Sequence, residues 1–527
     1  MLKARITLCD LLLEATRQGE SIVFGGSHIT AHAHALLESV LVKTRGQWFF
    51  VVRERLAAGA IARAVQDREV SPETFGKLYN ECLLWPLDYV LIEVAQAGCR
   101  MRLRSGVLGS VPVYCRATHD KATVSWDFTD LATGSTAVDT EIAAHRLAMH
   151  TVYSARQLYV GVHLLTERAT LDIEPGKASF RYPTPIQESI PSPLADDIDA
   201  LQVFGSLLQR VVSSRPLMTG RLALELSGGM DSASVACALA SRYVGIASKG
   251  ILLDGEVRQP QVERRQWIVE RLGLHDETVE ISAFPPIIDL QQMSATSNLY
   301  WEYYLEACAA LWSLARSQGR DTLFTGIGGD ELFPSYLNEM PGHLLGKTSR
   351  AADIQHCALS LLTPRALGAA NSLRGFDAPL SPVPATSLLA HACRAPDLLR
   401  HGMWPVNPLS DPNLVAFCHR LPRGSRQGRE LMRQYLESHL GSNVFARDYT
   451  KETFADVLPG QIALHADTLA IQLRECALAD LGLINHKAVL ALLDTVVVTR
   501  AQAPTAALAS FLWLERGVRQ IGRAMAA

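Results

Sequence analysis

The sequence has neither a long apolar run nor paired cysteines. These absences argue against a membrane-spanning protein and against a protein built on zinc or disulfides. No stretch of about 18 uninterrupted apolar residues occurs, so no membrane-spanning helix and no membrane partner is expected. The ten cysteines are scattered without a CxxC pair, a spacing that fits neither a zinc site nor a disulfide framework. With reduced thiols and no apolar N-terminal segment typical of a secretory signal, a cytoplasmic protein is expected.

Strongly basic and strongly acidic segments are also missing. The chain has 50 basic and 53 acidic residues, a net charge of −3 and a pI near 6.6. Without a basic stripe, no nucleic-acid partner is expected. The 527 residues exceed what one hydrophobic core usually organises, so two or more domains are expected.

A proline-rich segment at roughly 181–198 divides the chain into two parts. Its prolines are Pro183, Pro185, Pro191 and Pro193. Repeated prolines cannot continue a helix or a central strand, so the segment predicts a linker between domains 1–190 and 196–527. Before it, strand-like runs and a helix from about 140 to 155 predict a β-rich layered domain. The strand-like runs span 47–52, 89–94, 100–103 and 111–114.

After the linker, short apolar runs alternate with helical patterns. The predicted strands span 221–226, 249–254, 277–281 and 322–325, and the predicted helices 232–243, 261–272 and 302–317. This alternation predicts a parallel sheet covered on both faces, with ligands beyond the carboxyl ends of its strands. Residues beyond 340 are predicted to be mainly helical and irregular.

A glycine-containing loop, LSGGMDS at 226–232, follows the first of these strands and begins a helix. Glycines let backbone N–H groups close around phosphate oxygens, and a helix N-terminus favours negative charge. Ser227 and Ser232 add hydroxyl donors, and Asp231 is a candidate ligand for the magnesium that accompanies ATP. The spacing is not that of a Walker A loop. The alternative interpretation is a tight strand–helix turn that merely uses two glycines.

A second glycine loop, TGIGGDELF at 325–333, follows the last predicted strand. Its Asp330 supplies a second candidate carboxylate for magnesium, facing Asp231 across the edge of the sheet. By itself, the loop is interpreted more simply as a solvated turn. Paired with the first loop at a neighbouring strand end, it favours a nucleotide site.

Together the two loops resemble those of the asparagine synthetase family, in which SGGxDS is followed by a loop of the type SGxGxDExFxGY. Five further segments resemble weaker motifs of the same family and occur in the same order along the chain. They lie at 106–114, 158–176, 408–411, 428–433 and 448–457. The resemblance implies an α/β protein with two domains. The first is a degenerate glutaminase-like (Ntn) αββα domain. The second is a PP-loop ATP-pyrophosphatase domain, similar to adenine nucleotide alpha hydrolases, with a parallel sheet and helical additions.

Two departures from the family pattern bear on the reaction. The family's nucleophilic cysteine at position two is replaced by Leu2, and Cys9 cannot replace it without processing, so Cys9 is expected to be a small buried thiol. Asparagine-forming members carry a glutamate where this chain has Ile327, which cannot take a proton. Neither glutamine nor free ammonia is therefore expected as the nitrogen source.

Two branches of the superfamily share both losses, the β-lactam synthetases and the lasso peptide cyclases. We favour a lasso cyclase, because the divergent segment 340–399 would suit a peptide-sized pocket. Such an enzyme adenylates an Asp or Glu side chain of a precursor core peptide, and the N-terminal amine then closes an isopeptide macrolactam with release of AMP and pyrophosphate. The implied partners are the precursor peptide, a leader-binding protein and a leader peptidase. Alternatives are a small-molecule amide synthetase, an atypical asparagine synthetase, or a degenerate scaffold without turnover.

The resemblance also assigns the nucleotide site. The residues assigned to ATP are Leu226, Ser227, Gly228, Gly229, Asp231, Ser232, Leu253, Gly326 and Ile327. Magnesium is assigned to Asp231 and Asp330.

The catalytic groups are less narrowly defined. Lys451 matches the family lysine that stabilises charge on the acyl-adenylate and the departing phosphate. Glu331 is either a general base or an acid that fixes its loop. The other candidates for the base are Tyr300, Tyr303 and Tyr304. Arg429 and Arg433 either contact phosphate or pair with Glu430 and Glu437 on a helix surface.

Overall fold

The protein has a mixed α/β fold with a parallel sheet in its second half, as predicted. The computed structural model describes residues 1–57, 67–131, 137–150, 152–186, 194–195, 198–291, 302, 304–334, 350–372, 377–442, 444–446 and 457–526. None of the helices in these ranges is long and apolar enough to cross a bilayer.

The N-terminal half consists of two stacked sheets of seven strands each. The strands are β1 (Leu2–Thr7), β2 (Thr16–Gln18), β3 (Ser21–Phe24), β4 (Ser27–Ala31), β5 (Leu37–Thr44), β6 (Gln47–Glu54), β7 (Arg68–Glu69), β8 (Tyr89–Ala95), β9 (Arg100–Ser105), β10 (Tyr114–Ala117), β11 (Lys121–Ser125), β12 (Val162–Leu164), β13 (Thr170–Glu174) and β14 (Lys177–Arg181). The first sheet has the order β12-β10-β11-β1-β4-β3-β2, and the second β14-β13-β9-β8-β6-β5-β7. Except for the short β5–β7 pair, neighbouring strands are antiparallel.

Helices cover the outer faces of the two sheets. Between the sheets, Phe24 and Trp48 meet edge to face with their ring centroids 5.2 Å apart. Helix α1 (Pro72–Leu83) packs Phe75 on the outer face of the second sheet, 5.1 Å from the ring of Phe49. Helix α2 (Thr140–Leu147) lies on the other side and shares an apolar cluster with Tyr114 of β10. The layer order is therefore αββα, as the resemblance implied.

Three local expectations for this half are wrong. The helix expected to reach 155 ends at Leu147, and the chain then turns through a left-handed residue, Met149. The strand expected at 111–114 begins only at Tyr114, since Pro112 has no N–H to donate to a ladder. Cys9 is exposed rather than buried, because the short 3-10 turn that contains it buries Leu8 and Leu11 instead.

The second half contains a five-stranded parallel sheet of order β17-β16-β15-β18-β19. Its strands are β15 (Leu222–Glu225), β16 (Ala247–Leu252), β17 (His275–Glu280), β18 (Thr322–Phe324) and β19 (Trp404–Val406). Four of them fall within a few residues of their predicted positions. The fifth, β19, was missed because Pro405 argues against a central strand, but this strand lies at the edge of the sheet, where proline is tolerated.

Some of the remaining helices pack on this sheet, and others form a separate apolar cluster that includes α2. They are α3 (Ala200–Val212), α4 (Met230–Ala240), α5 (Arg258–Leu272), α6 (Leu305–Ser317), α7 (Arg350–Leu359), α8 (Pro364–Ser372), α9 (Ala385–Arg400), α10 (Pro412–His419), α11 (Arg423–Arg426), α12 (Glu430–Leu440), α13 (Val457–Leu464), α14 (Ala466–Gln472), α15 (Ala477–Asp480), α16 (His486–Thr499) and α17 (Gln502–Ala526). Successive side chains of a strand point to opposite faces. Leu222 and Leu224 accordingly share a core with α4, whereas Ala223 packs with α6.

Candidate active site

The candidate site lies where the order of the parallel strands reverses. From β15 the chain adds β16 and then β17 on one side, and β18 and β19 on the other. In sheets of this kind, ligands bind beyond the carboxyl ends of the strands at the point of reversal. The first loop (226–232) follows β15 and the second loop (325–333) follows β18, so both lie at this point.

Hydroxyl groups stabilise the first loop from within. The N–H of Ser227 donates to the Ser232 hydroxyl at 3.1 Å, and the two hydroxyls lie 3.1 Å apart. The N–H of Gly229 donates to the Ser227 hydroxyl at 3.2 Å. Gly228 has a φ of +94°, a conformation that favours glycine. The chain then enters α4, and Gly229 supplies no side-chain cap, so the first amides of the helix face the crevice.

Side chains of α5 hold the first loop from below. The side-chain amide of Gln261, which is 1% exposed, donates to the carbonyls of Ser227 at 2.9 Å and of Ile251 at 3.0 Å. Its oxygen accepts from the N–H of Leu253 at 3.0 Å. Arg264 donates to the carbonyl of Gly228 at 3.3 Å. Because one buried side chain joins the ends of β15 and β16, the loop is fixed before any ligand binds.

The second loop is fixed from the β19 side. The hydroxyl of Thr325 donates to the side-chain oxygen of Asn407 at 2.6 Å and accepts from the N–H of Ile327 at 3.2 Å. The Ser410 hydroxyl donates to the carbonyl of Ile327 at 3.2 Å. Gly328 has a φ of +100°, and a Cβ there would lie 2.5 Å from the Ser410 hydroxyl. Only glycine fits this position without moving the neighbouring loop.

The two loops touch each other through glycines. A Cβ on Gly326 would lie 2.8 Å from the backbone nitrogen of Ser232. A Cβ on Gly329 would lie 2.2 Å from a carboxylate oxygen of Asp231. These glycines allow the second loop to pack directly on the start of α4. As a result, the predicted acidic residues of the two loops lie at one place.

Arg429 joins these two acidic residues. One of its terminal nitrogens donates to both carboxylate oxygens of Asp231, at 2.8 and 3.0 Å, and the other pairs with Asp330. Two carboxylates that share one cation form a donor set that fits Mg²⁺, which usually takes one or two carboxylates together with substrate phosphates. In the described ranges, no group of three or more His, Cys, Asp or Glu side chains could hold a metal. Asp231 and Asp330 alone would leave most positions around a metal to other oxygens, such as those of phosphate and water.

Other predicted residues lie close to the loops with distinct environments. Leu226 and Leu253 are 0% and 2% exposed, so they can offer only backbone groups to a nucleotide.

The carboxylate of Glu331 accepts a hydrogen bond from the Thr386 hydroxyl of α9 at 2.5 Å. That contact joins the second loop to α9, and the role of Glu331 as loop-fixing acid or general base stays a prediction. Arg433 pairs with Glu430 at 3.9 Å and donates to the carbonyl of Phe445.

The structure describes only part of the predicted catalytic set. Lys451, Tyr300 and Tyr303 lie outside the described residues. Burial and the neighbouring charge of Glu302 raise the pKa of Tyr304 well above its usual value, so this phenol is neutral at physiological pH. Burial also raises the pKa of Glu302 to about 7, against the opposing effect of Arg394.

A polar cluster behind the first loop was missed from the sequence. Glu225, the last residue of β15, accepts from the indole N–H of Trp312 at 2.9 Å and pairs with Arg394 of α9. The Arg394 guanidinium carbon also lies 5.7 Å from the ring centroid of Tyr304. A glutamate at the end of an otherwise apolar strand was the only sequence signal for this cluster. It connects the strand that carries the first loop to α6 and α9.

The fold and the loops define a parallel-sheet nucleotide domain of the PP-loop ATP-pyrophosphatase type. Residues 204–383 match the family model for asparagine synthase. The match supports placing this part of the chain in the asparagine synthetase-like superfamily, and it supports an ATP-dependent enzyme of the ligase type.

No curated protein matches the chain. Among solved structures, the chain is similar to the U34-tRNA thiolase NcsA from Methanococcus maripaludis, at 13% identity, with 48% of this chain and 91% of that chain covered and a TM-score of 0.20. A TM-score this low supports no conclusion about the present chain.

Proposed function

We propose that this protein is an ATP-dependent lasso peptide cyclase. It would activate an Asp or Glu side chain of a precursor peptide as an acyl-adenylate and join it to the N-terminal amine of the same peptide. The observation that carries the ATP-dependent activation is the meeting of two glycine loops at the point of strand reversal, where Asp231 and Asp330 share one cationic partner. The proposal that the attacking amine belongs to the same substrate rests on Leu2 and Ile327. These residues replace the family residues that release ammonia from glutamine and handle its attack.

In the first step, the substrate carboxylate attacks the α-phosphate of ATP and pyrophosphate leaves. The backbone amides at the start of α4 and the hydroxyls of Ser227 and Ser232 would bind the phosphate oxygens. Asp231 and Asp330 would hold Mg²⁺, which supplies positive charge against the departing pyrophosphate. Since α5 and the second loop already fix the first loop, these donors would need little rearrangement when ATP binds.

In the second step, the amine attacks the acyl carbon, loses a proton, and AMP leaves as the amide forms. An amine held on the same molecule as the acyl group replaces a bimolecular encounter, and so needs no delivery of ammonia. The loop position that carries a glutamate in asparagine-forming relatives is Ile327 here, which cannot accept a proton. Position two is Leu2, an apolar residue that is 1% exposed in β1 and offers no nucleophile for glutamine.

The partners follow from this proposal. A lasso precursor carries a leader segment, so a leader-binding protein and a leader peptidase would act with this chain. Lys451 would stabilise charge on the acyl-adenylate, as the matching family lysine does. The runner-up is an amide synthetase that acts on a small molecule by the same two steps.

The test uses the full chain with synthetic peptides that begin with Gly and carry an internal Asp or Glu. We expect peptide-dependent exchange of pyrophosphate into ATP, formation of AMP, and a product that has lost one water and resists aminopeptidase. Asp231→Asn should abolish the exchange, whereas Lys451→Ala should fold normally but form no amide. Exchange with small amino acids but with no peptide would favour the runner-up. Exchange that is unchanged in Asp231→Asn would contradict the proposed site.

A further inference from the structure

Arg429 occupies the position between the two acidic loops where a cation is expected. Its guanidinium contacts both oxygens of Asp231 and also pairs with Asp330, so one side chain bridges the two carboxylates. The side chains of Arg429 and Asp231 are 23% and 19% exposed, while that of Asp330 is 61% exposed. The cluster therefore lies at the opening of the crevice, in reach of an incoming ligand.

An unusual backbone conformation at Arg429 directs its side chain towards the two carboxylates. Gly428 has a φ of +63° and Arg429 has a φ of +58° with a ψ of 39°, so two successive residues are left-handed. This conformation is unfavourable for a residue with a side chain, and such outliers are concentrated at functional sites. The turn is held in place by α12, which buries Leu431 and Met432 and packs against α4.

A bound nucleotide would change the balance of charge at this cluster, because its phosphates are negative. Without Arg429, two carboxylates would face each other with no countercharge, and a free divalent cation would be drawn between them. With Arg429 in place, such a cation must displace a guanidinium and gains only two protein ligands. Phosphates would alter this balance, since they offer further oxygens to the metal and a pair of acceptor oxygens to the planar guanidinium of the arginine.

We propose that Arg429 is a positioning residue that holds Asp231 and Asp330 together in the empty site and moves onto the phosphates when nucleotide binds. Metal and nucleotide then bind together, and the free enzyme has little affinity for metal alone. The inference rests on the proposed function only in taking the nucleotide to be ATP. The inference goes beyond the proposed function in one respect. It requires the affinity of the site for metal to depend on bound nucleotide, which the two loops alone would not require.

The test measures binding of Mn²⁺ to the full chain by electron paramagnetic resonance, with and without a non-hydrolysable ATP analogue. Wild type should bind Mn²⁺ weakly alone and more tightly with the analogue. Arg429→Asn, which tolerates a left-handed backbone, should bind Mn²⁺ alone about tenfold more tightly and bind the metal-free analogue about tenfold more weakly. Arg429→Lys should keep the low affinity for metal alone, since it retains the charge.

A matched control is Arg423→Asn, which removes an exposed arginine from α11 and should leave both affinities unchanged. If Arg429→Asn and wild type bind Mn²⁺ alone equally, with thermal unfolding of both unchanged, the inference is wrong even when ATP binds. If wild type binds no ATP analogue at all, the proposed function fails instead. Higher Mn²⁺ affinity in Arg429→Lys as well would assign the effect to a loss of structure and would also overturn the inference.

Discussion

At the scale of single residues, Asp88 combines full burial with hydrogen bonds that favour its charged form. It is 3% exposed and accepts backbone N–H groups from Ser110 at 2.8 Å and Tyr89 at 3.1 Å. Burial nevertheless raises the pKa of Asp88 to about 7, and the negative charge of Glu54 adds to this rise. Desolvation therefore outweighs the hydrogen bonds, and the folded protein binds a proton that the unfolded chain releases.

The direction of the resulting pH dependence can be tested. Because the folded pKa of Asp88 is higher than its value of 3.8 in the unfolded chain, its contribution to stability is complete below about pH 4 and is lost as pH rises towards 7. The free energy of unfolding of wild type should fall by up to about 1.4 kcal/mol per pH unit relative to Asp88→Asn in this window. Urea unfolding of both proteins at about pH 5, 6 and 7 measures the difference. Parallel curves would show that Asp88 titrates normally.

Residue contacts at the site were only partly predictable from the sequence. Asp231 and Asp330 could be paired in advance, because the carboxyl ends of neighbouring parallel strands meet at one edge. The partners of Arg429 could not, since its contacts depend on a left-handed turn about 198 residues beyond Asp231 in the chain. The pairing of Glu225 with Arg394 was hidden for a similar reason, because the two residues lie on elements 169 positions apart.

At the scale of elements, the site depends on how closely the second loop packs on α4. Gly326 and Gly329 leave no room for a side chain, because each faces an atom of the Asp231–Ser232 segment. A side chain at Gly326 would force the backbone of Ser232 to move, whereas a side chain at Gly329 would displace the side chain of Asp231. Two loops that merely ended neighbouring strands would not need this glycine pattern.

Replacing Gly329 should therefore separate the loops while leaving the fold intact. In Gly329→Ala, the added methyl group would lie 2.2 Å from an oxygen of Asp231, so this carboxylate must turn away. We expect a loss of at least tenfold in pyrophosphate exchange, roughly 1.4 kcal/mol of binding or activation free energy. The control is Gly424→Ala in α11, where a Cβ would meet nothing within 4 Å. Equal exchange by the two variants would show that the close contact has no functional role.

Element boundaries also show where sequence reasoning reaches its limit. The strands of the parallel sheet were predicted because apolar runs between helical patterns are a local signal. Strand β19 was not, because it contains Pro405 and only its position at the edge of the sheet makes that residue acceptable. Likewise, the end of α2 at Leu147 depends on how the following segment packs, and this information is not local.

At the scale of the whole molecule, the two halves share one interior. A single apolar cluster contains Leu2 and Ile6 of the first sheet together with Leu222 and Leu224 of the parallel sheet. Polar groups cross the same boundary, since His34 lies 3.0 Å from the carbonyl oxygen of Asp321. The N-terminal half is thereby part of the structure that supports the parallel sheet.

The centre of this boundary is a fully buried ion pair. Glu54, which is 0% exposed, accepts two hydrogen bonds of 2.7 Å from Arg215, which lies between α3 and β15. The same carboxylate accepts the indole N–H of Trp404 in β19 at 2.8 Å and the N–H of Asp88 at 3.1 Å. Arg215 is the cation that contacts this buried carboxylate, so its removal would leave Glu54 buried without its ion-pair partner.

Removing one partner of this pair should destabilise the molecule as a whole. Arg215→Met leaves the Glu54 carboxylate buried without a countercharge and should cost about 3–5 kcal/mol. Adding Glu54→Gln to Arg215→Met should recover part of this loss, because a neutral amide still accepts the N–H of Trp404. Urea unfolding followed by tryptophan fluorescence and far-ultraviolet circular dichroism should give midpoints that fall together, since both halves depend on the pair.

Arg55→Met, which removes an exposed neighbouring arginine, should change stability by less than about 0.5 kcal/mol. If only one of two separate transitions moved in Arg215→Met, the halves would be independent, and the N-terminal half would need a role other than supporting the parallel sheet.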